Sequence, residues 1–325
     1  MIVQGLKRGD ILLNLIALLG AFLIVTAVIP PVYNLSMSYS IVDKPNARKV
    51  HQTPMPFVGA AIWAGVLLAV WLLPIERRLL IGVSLGGTVA FAVGFVDDFI
   101  KSRGGDLAAG PKFIGQIFAA ILLFSAGVKV QFLSNPFTGG LVYLPDLVSL
   151  VVTVAWVVGV TNLINFMDGL DGLACGLVNI AALTMAVVSY FMGQPTTLLV
   201  SLVLVGVTSA FFRVNFNPAR MFMGDAGAYF LGFMLAAVSV EGAFKSATLV
   251  GLLIPIIVLG LPIADTVFNI VRRLLSGKPV YVADKGHAHH RLLQAGLSHR
   301  QTVLVMYLIS ICFSLTALVL MFANK

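Results

Sequence analysis

The feature that most limits this chain is repetition: apolar stretches of roughly 16 to 25 residues recur along its length, separated by short polar punctuation. A water-soluble globule could not cover them, because 59% of the 325 residues are hydrophobic and only 10% are charged. A bilayer is the solvent that suits such a chain, and the α-helix, which satisfies its own backbone hydrogen bonds, is the form that crosses it. The expected fold is therefore all-α, a single polytopic membrane domain over residues 1–325. About ten spans are predicted, at 11–32, 57–73, 79–96, 112–127, 147–164, 171–192, 196–212, 226–241, 247–275 and 302–322. The ninth is long and carries Pro255, Pro262 and Asp265, so it is expected to be bent or broken. The first is too long for a signal peptide and lacks a small-residue cleavage site after a short core. Cys175 and Cys312 lie in apolar segments without CxxC spacing and read as packing residues.

Ten alternating spans sort the connecting segments into two sets, and charge separates them. Segments 33–56, 97–111, 165–170, 213–225 and 276–301, with the helix ends beside them, hold Lys44, Arg48, Lys49, Lys101, Arg103, Lys112, Arg213, Arg220, Arg272, Arg273, Lys278, Lys285, Arg291 and Arg300, two thirds of the 21 Lys and Arg residues. The positive-inside rule places this set in the cytoplasm and both termini outside. The same set holds all five histidines and most of the acidic residues, which an orientation bias does not explain. A formal charge of +8 thus reads as topology plus anion binding, not as a nucleic-acid surface. Segment 128–146 reads as an external hairpin-like loop.

Three acidic segments carry candidate chemistry. Asp97 and Asp98 close the third span in GFVDDF, where adjacent carboxylates beside hydrocarbon need a cation, a basic neighbour or a shared proton. The bland alternative is a solvated helix end paired with Lys101 or Arg103. TNLINFMDGLDGLA spaces Asn162, Asn165, Asp168 and Asp171 by threes. On one ideal helix only neighbours in that series share a face, but Gly169 and Gly172 imply a break that lets more of them converge. Amide and carboxylate oxygens are the hard ligands Mg²⁺ takes, and simple capping is the alternative. FNPARMFMGDAGAYFLG places Asn217, Arg220 and Asp225 just before the eighth span. Asp225 fits an N-terminal cap or a metal ligand at the positive end of a helix.

DKPNARKVHQTPMPFVGA and DKGHAHHRLLQAGLSHR supply Arg48, Lys49, His51, His287, His289, His290 and Arg291. With no cysteine or close carboxylate pattern beside these histidines, polyanion recognition fits better than a closed zinc site. Lys112, in GPKFIGQ at the start of the fourth span, can reach a lipid head group. Any single cation of this kind also suits anionic lipid at a leaflet.

Taken together, DKPNARKVH with TPMPFVGA, GFVDDF, TNLINFMDGLDGLA, NFNPARMFMGDAGAYFLG, LPIADTVFNIVRR and DKGHAHHRLLQAGLSHRQTV resemble, in that order over about residues 43–300, the polyprenyl-phosphate N-acetylhexosamine-1-phosphate transferase family. HAHHRLLQAGLS is similar to the branch that uses UDP-N-acetylglucosamine; the muramoyl-pentapeptide branch shows a triple-His run followed by Phe-Glu. Two positions depart from the pattern: Lys101 stands where some relatives have a third acidic residue, and Ala60 replaces the second Gly of a Gly-Gly pair.

The resemblance implies helices around a cytoplasmic cleft in a bacterial inner membrane, a Mg²⁺ ion (Mn²⁺ as substitute), UDP-N-acetylglucosamine and undecaprenyl or another polyprenyl phosphate, with a homodimer left open. By family position Asp225 and Asn165 would be metal ligands, and Asp97 would orient or deprotonate the lipid phosphate while Asp98 steadies the site. Lys112 and Lys101 would grip that phosphate. Asp168 and Asp171 would meet uridine or ribose, with Asn217 also on the nucleotide-sugar side. His287, His289, His290 and Arg291 would meet sugar or diphosphate, with Arg48, Lys49 and His51 completing the anion cradle. Two rival readings remain: the muramoyl-pentapeptide transferase branch, and a proton- or cation-coupled transporter. A transporter should place acidic residues near mid-membrane and often shows repeated halves, whereas only Asp265 lies deep in a span and no repeat is visible.

Overall fold

A computed structural model describes residues 8–44, 53–134, 140–246, 249–277 and 286–323. The protein is a polytopic helical membrane protein. Its helices are α1 (Arg8–Ser38), α2 (Gly59–Trp71), α3 (Arg77–Ser102), α4 (Ala109–Ser125), α5 (Asp146–Met167), α6 (Leu173–Phe191), α7 (Pro195–Asn215), α8 (Gly224–Ser246), α9 (Leu249–Val258), α10 (Gly260–Leu275), α11 (Ala288–Gln294) and α12 (His299–Ala323). Seven of them, α1, α3, α5, α6, α7, α8 and α12, are long and apolar enough to cross a membrane, while α2 and α4 are apolar but shorter. Where the sequence suggests one long ninth span, the described residues form two helices, α9 and α10, that adjoin at Leu259.

The apolar patterning explains who faces whom. The spanning stretch of α8 is 94% buried, so this helix is wrapped by protein, whereas α1 presents Leu12, Leu15, Ile16, Leu19 and Leu23 outward, as a lipid-facing helix should. Around α8 pack α3, α5, α2 and α6, with Phe230, Phe233, Leu231 and Met234 fully buried in the interface. α3 runs antiparallel to α8, so the end of α3 meets the beginning of α8.

Strand is confined to two short pairs. β1 (Val42–Asp43) pairs antiparallel with β2 (Met55–Pro56), and β3 (Phe132–Ser134) with β4 (Leu141–Tyr143). The second pair is a hairpin within the segment read as a hairpin-like loop. The first has a positional role: Phe222 donates its N–H to the Pro56 carbonyl and Val58 donates to the Phe222 carbonyl, which ties residues 55–58 to the approach to α8. Val42–Asp43 and Met55–Pro56, the described residues before and after this stretch, are therefore held beside that helix start. Arg48, Lys49 and His51 themselves lie outside the described residues.

Candidate active site

At one end of the bundle the end of α3, the start of α4, the end of α5 and the start of α8 meet, and their polar side chains form one network. Asp97, with 0% exposure, is held through both oxygens. Its Oδ1 accepts from the Leu107 N–H at 3.1 Å, and its Oδ2 lies 2.7 Å from both Lys101 Nζ and Lys112 Nζ. Of the bland alternative, the pairing with Lys101 forms, but the helix end is not solvated: this carboxylate is buried. Lys101 follows Asp97 by one helical turn and also reaches Asp225 Oδ2 at 3.0 Å, with Lys112 Nζ 3.6 Å from the same oxygen. The lysine that replaces an acidic residue of the family pattern therefore bridges two of the remaining carboxylates.

Asp98 turns the other way. Its Oδ1 accepts from the Asp225 N–H at 2.9 Å and its Oδ2 from the Ala226 N–H at 3.0 Å. A carboxylate from α3 thus caps α8 and meets the positive end of its dipole. This corrects the reading of Asp225 as the cap: Asp225 lies inside the first turn, and its own carboxylate is released toward the cluster. Gly224 makes the arrangement feasible, since its φ of +65° suits glycine and any side chain there would strike the Asp98 carboxylate.

The Asn/Asp series separates as its geometry requires. Asn162 donates to Gln116 Oε1 at 2.6 Å, joining α5 to α4. Asn165 donates through Nδ2 to Asp225 Oδ1 at 3.2 Å, which orients that carboxylate and leaves the Asn165 carbonyl oxygen as a neutral ligand. Asp168 sits at the C-terminus of α5, where burial, with Asp225 and Asp98 nearby, holds its carboxyl well above the usual carboxylate range. Asp171 points elsewhere: its Oδ2 accepts from Asn217 Nδ2 at 3.1 Å and from the Ala219 N–H at 3.0 Å, so it ties the α5–α6 turn to the loop before α8.

The histidine segment forms a second group. His289 is 1% exposed, with its ring against Gly169, where an added Cβ would lie 2.5 Å from Nε2. Burial, with His290 and His287 beside it, pushes its imidazole down to about 3, so it is neutral at physiological pH. His289 therefore suits hydrogen bonding better than charge pairing. His287 stacks near-parallel to His289 at 5.8 Å, and the Arg291 guanidinium lies 4.3 Å over the Phe268 ring. His287 Nδ1 lies 2.6 Å from Asp265 Oδ2. Asp265, Asn269 and Gln116 are the polar residues that motif reading left out of the site. Their signal was a lone polar side chain within an apolar span.

Among the described residues no three His, Cys, Asp or Glu side chains form a metal cage. That is compatible with Mg²⁺, which usually takes one or two protein carboxylates and fills its octahedron with water and substrate phosphate. Asp225 and the adjoining Asn165 carbonyl are donors of the right hardness for that role.

The glycosyl transferase family 4 profile matches residues 80–243, which include Asp97, Asp98, Asn165, Asp168 and Asp225. The chain is 41% identical over 308 residues to a protein of Bacillus subtilis named probable undecaprenyl-phosphate N-acetylglucosaminyl 1-phosphate transferase, covering 94% of this chain and 84% of that protein. It is 36% identical to the decaprenyl-phosphate N-acetylglucosaminephosphotransferase of Mycobacterium tuberculosis, over 86% of this chain and 75% of the relative. A phospho-N-acetylmuramoyl-pentapeptide-transferase of Staphylococcus saprophyticus is 28% identical over 94% of this chain and 98% of its own. The chain belongs to glycosyl transferase family 4 and is a membrane-embedded glycosyl-1-phosphate transferase.

Proposed function

We propose that the protein transfers N-acetylglucosamine 1-phosphate from UDP-N-acetylglucosamine to undecaprenyl or a related polyprenyl phosphate, releasing UMP and starting a cell-envelope glycopolymer. The observation that carries this reading is the cluster of Asp97, Asp225, Lys101 and Lys112, a set of anion-binding and cation-binding groups on adjoining helix ends. Of the relatives above, the two of higher identity are named for undecaprenyl or decaprenyl phosphate and N-acetylglucosamine, and the muramoyl-pentapeptide transferase is the least identical of the three, which favours this donor. The bias of Lys and Arg toward this end of the bundle supports a cytoplasmic site in the bacterial inner membrane with both termini outside.

An oxygen of the lipid phosphate attacks the sugar-side phosphorus; the new P–O bond forms as the bond to UMP breaks, and the electron pair leaves on the UMP phosphate. A phosphate monoester has its second pKa near 6, so the nucleophile is already largely ionised at neutral pH. Positioning then matters more than deprotonation. Lys101 and Lys112 hold the lipid phosphate, and Asp97 sets where their ammonium groups sit. Asp225 and Asn165 would hold Mg²⁺, whose chemistry when bound is neutralisation of the diphosphate charge. Asp98 keeps the start of α8, and so Asp225, in place. Because both oxygens of Asp97 are already engaged, direct attack by the lipid phosphate is favoured over a covalent aspartyl-phosphate route. Asp168 and the histidine segment border the nucleotide-sugar side.

Purified protein in detergent tests the proposal. UMP should appear from UDP-N-acetylglucosamine only with both polyprenyl phosphate and Mg²⁺ present. Turnover of the galacto-epimer or the muramoyl-pentapeptide donor in its place would reassign the substrate. No UMP from any donor, with ion flux in vesicles, would favour a transporter.

A further inference from the structure

α10 inverts the usual amphipathic pattern. Asp265, Asn269 and Arg273, four residues apart and hence on one face, are buried, while Val267, Ile270, Val271 and Leu274 on the opposite side are exposed. A carboxylate within an apolar helix is costly to bury without close partners. Asp265, 4% exposed, has three: Oδ2 lies 2.6 Å from His287 Nδ1, Oδ1 accepts from the Ala288 N–H at 2.6 Å, and Arg291 Nη2 stands 4.0 Å from Oδ1. The Asn269 amide donates to the Asp265 backbone carbonyl at 3.1 Å beside this pair, and the Phe166 ring of α5 tilts against the imidazole at 5.5 Å. The His287 side chain keeps 17% of its surface accessible. Because the carboxylate accepts, the short contact requires the proton on Nδ1. Nε2 is then the ring nitrogen left for a ligand.

We propose that Asp265 is a positioning residue for the transfer reaction: it fixes the tautomer and plane of His287, so that Nε2 is presented to the nucleotide-sugar. The inference rests on the transferase reading above. The logic is that of a carboxylate behind a ligating histidine, where loss of the rear partner leaves the ring in place but wrongly presented. It also gives the break between α9 and α10 a use, because α10 carries this anchor as a helix separate from α9.

A double-mutant cycle separates this role from general support of the fold. Asp265→Asn and His287→Ala should each lower kcat/KM for UDP-N-acetylglucosamine by about 10- to 100-fold, the size typical of such rear partners. KM for polyprenyl phosphate should stay within about twofold, the scatter of uncoupled sites. The double variant should lose no more than His287→Ala alone. Losses that multiply, or that fall equally on both substrates, would overturn the proposal. Should Asp265→Asn fail to fold, the cycle is run with Asp265→Glu, whose longer arm must displace the ring. A loss that His287→Ala abolishes then supports the role, and an additive loss or none refutes it. Wild-type protein is assayed alongside: if it releases no UMP, the transferase reading itself fails, which is distinct from active wild type with an additive cycle.

Discussion

The antiparallel pair α3 and α8 buries charge at both of its ends, and the two ends differ in how that charge is balanced. At one, Arg78 donates to Glu241 Oε1 at 2.7 Å, to Glu76 Oε2 at 3.1 Å and to the Gly127 carbonyl at 3.1 Å, and Glu241 is 1% exposed. There one buried and one exposed carboxylate share a guanidinium that is itself partly exposed, so solvent screens part of the charge. At the other end, among the described residues, Asp97 and Asp225 share Lys101 and Lys112, while Asp98 is met by backbone N–H groups and Asp168 is buried nearby. A partly solvated ion pair of this kind is what a fold needs to close a helix contact. A surplus of carboxylate held by shared ammonium groups is what a site needs to accept a cation and phosphates.

Substitutions can break or sharpen that contrast. The largest effect is expected for Asp225→Ala, which should lower UMP release at least about 100-fold and flatten its dependence on Mg²⁺ concentration; full activity would remove Asp225 from the metal site. Asp97→Asn comes next. It should cut turnover by about 100-fold, within the range for loss of a proton-handling or orienting carboxylate, while calorimetry still detects UDP-sugar binding. Wild-type rates would exclude any role for Asp97 in the transfer. Asp98→Asn keeps one acceptor for two buried N–H groups, so it should destabilise the start of α8 by about 1–3 kcal/mol. Turnover should drop roughly tenfold with it, and an unchanged melting temperature would contradict the cap. The smallest effect on catalysis belongs to Glu241→Gln, which should lower thermal stability in detergent by roughly 1–3 kcal/mol, since Arg78 is partly exposed. At temperatures where it is folded, its kcat should match wild type. A large fall in kcat there would mean that the far end of α8 also tunes the site.

Much of this was legible before any coordinates. Periodic apolar length announced a helical membrane protein, because a bilayer accepts few other solutions, and the motifs around Asp97, Asn165 and Asp225 announced a phosphate-handling site. Division of labour within those motifs was less legible. Adjacent Asp97 and Asp98 look alike in sequence but point about 100° apart on a helix, so one meets lysines and the other meets α8. Asp171, equivalent in spacing to Asp168, serves the loop at Asn217 and Ala219 instead.

What the sequence determined by itself is therefore the solvent, the helical class and the family, all properties of local composition and ordered motifs. Tertiary structure alone decided that Asp98 caps a helix more than a hundred residues away, that Lys101 bridges Asp97 to Asp225, and that Asp265 stands behind His287. The reason is physical. A buried carboxylate must find its partners in three dimensions, and which donors arrive is set by helix packing, not by neighbours along the chain.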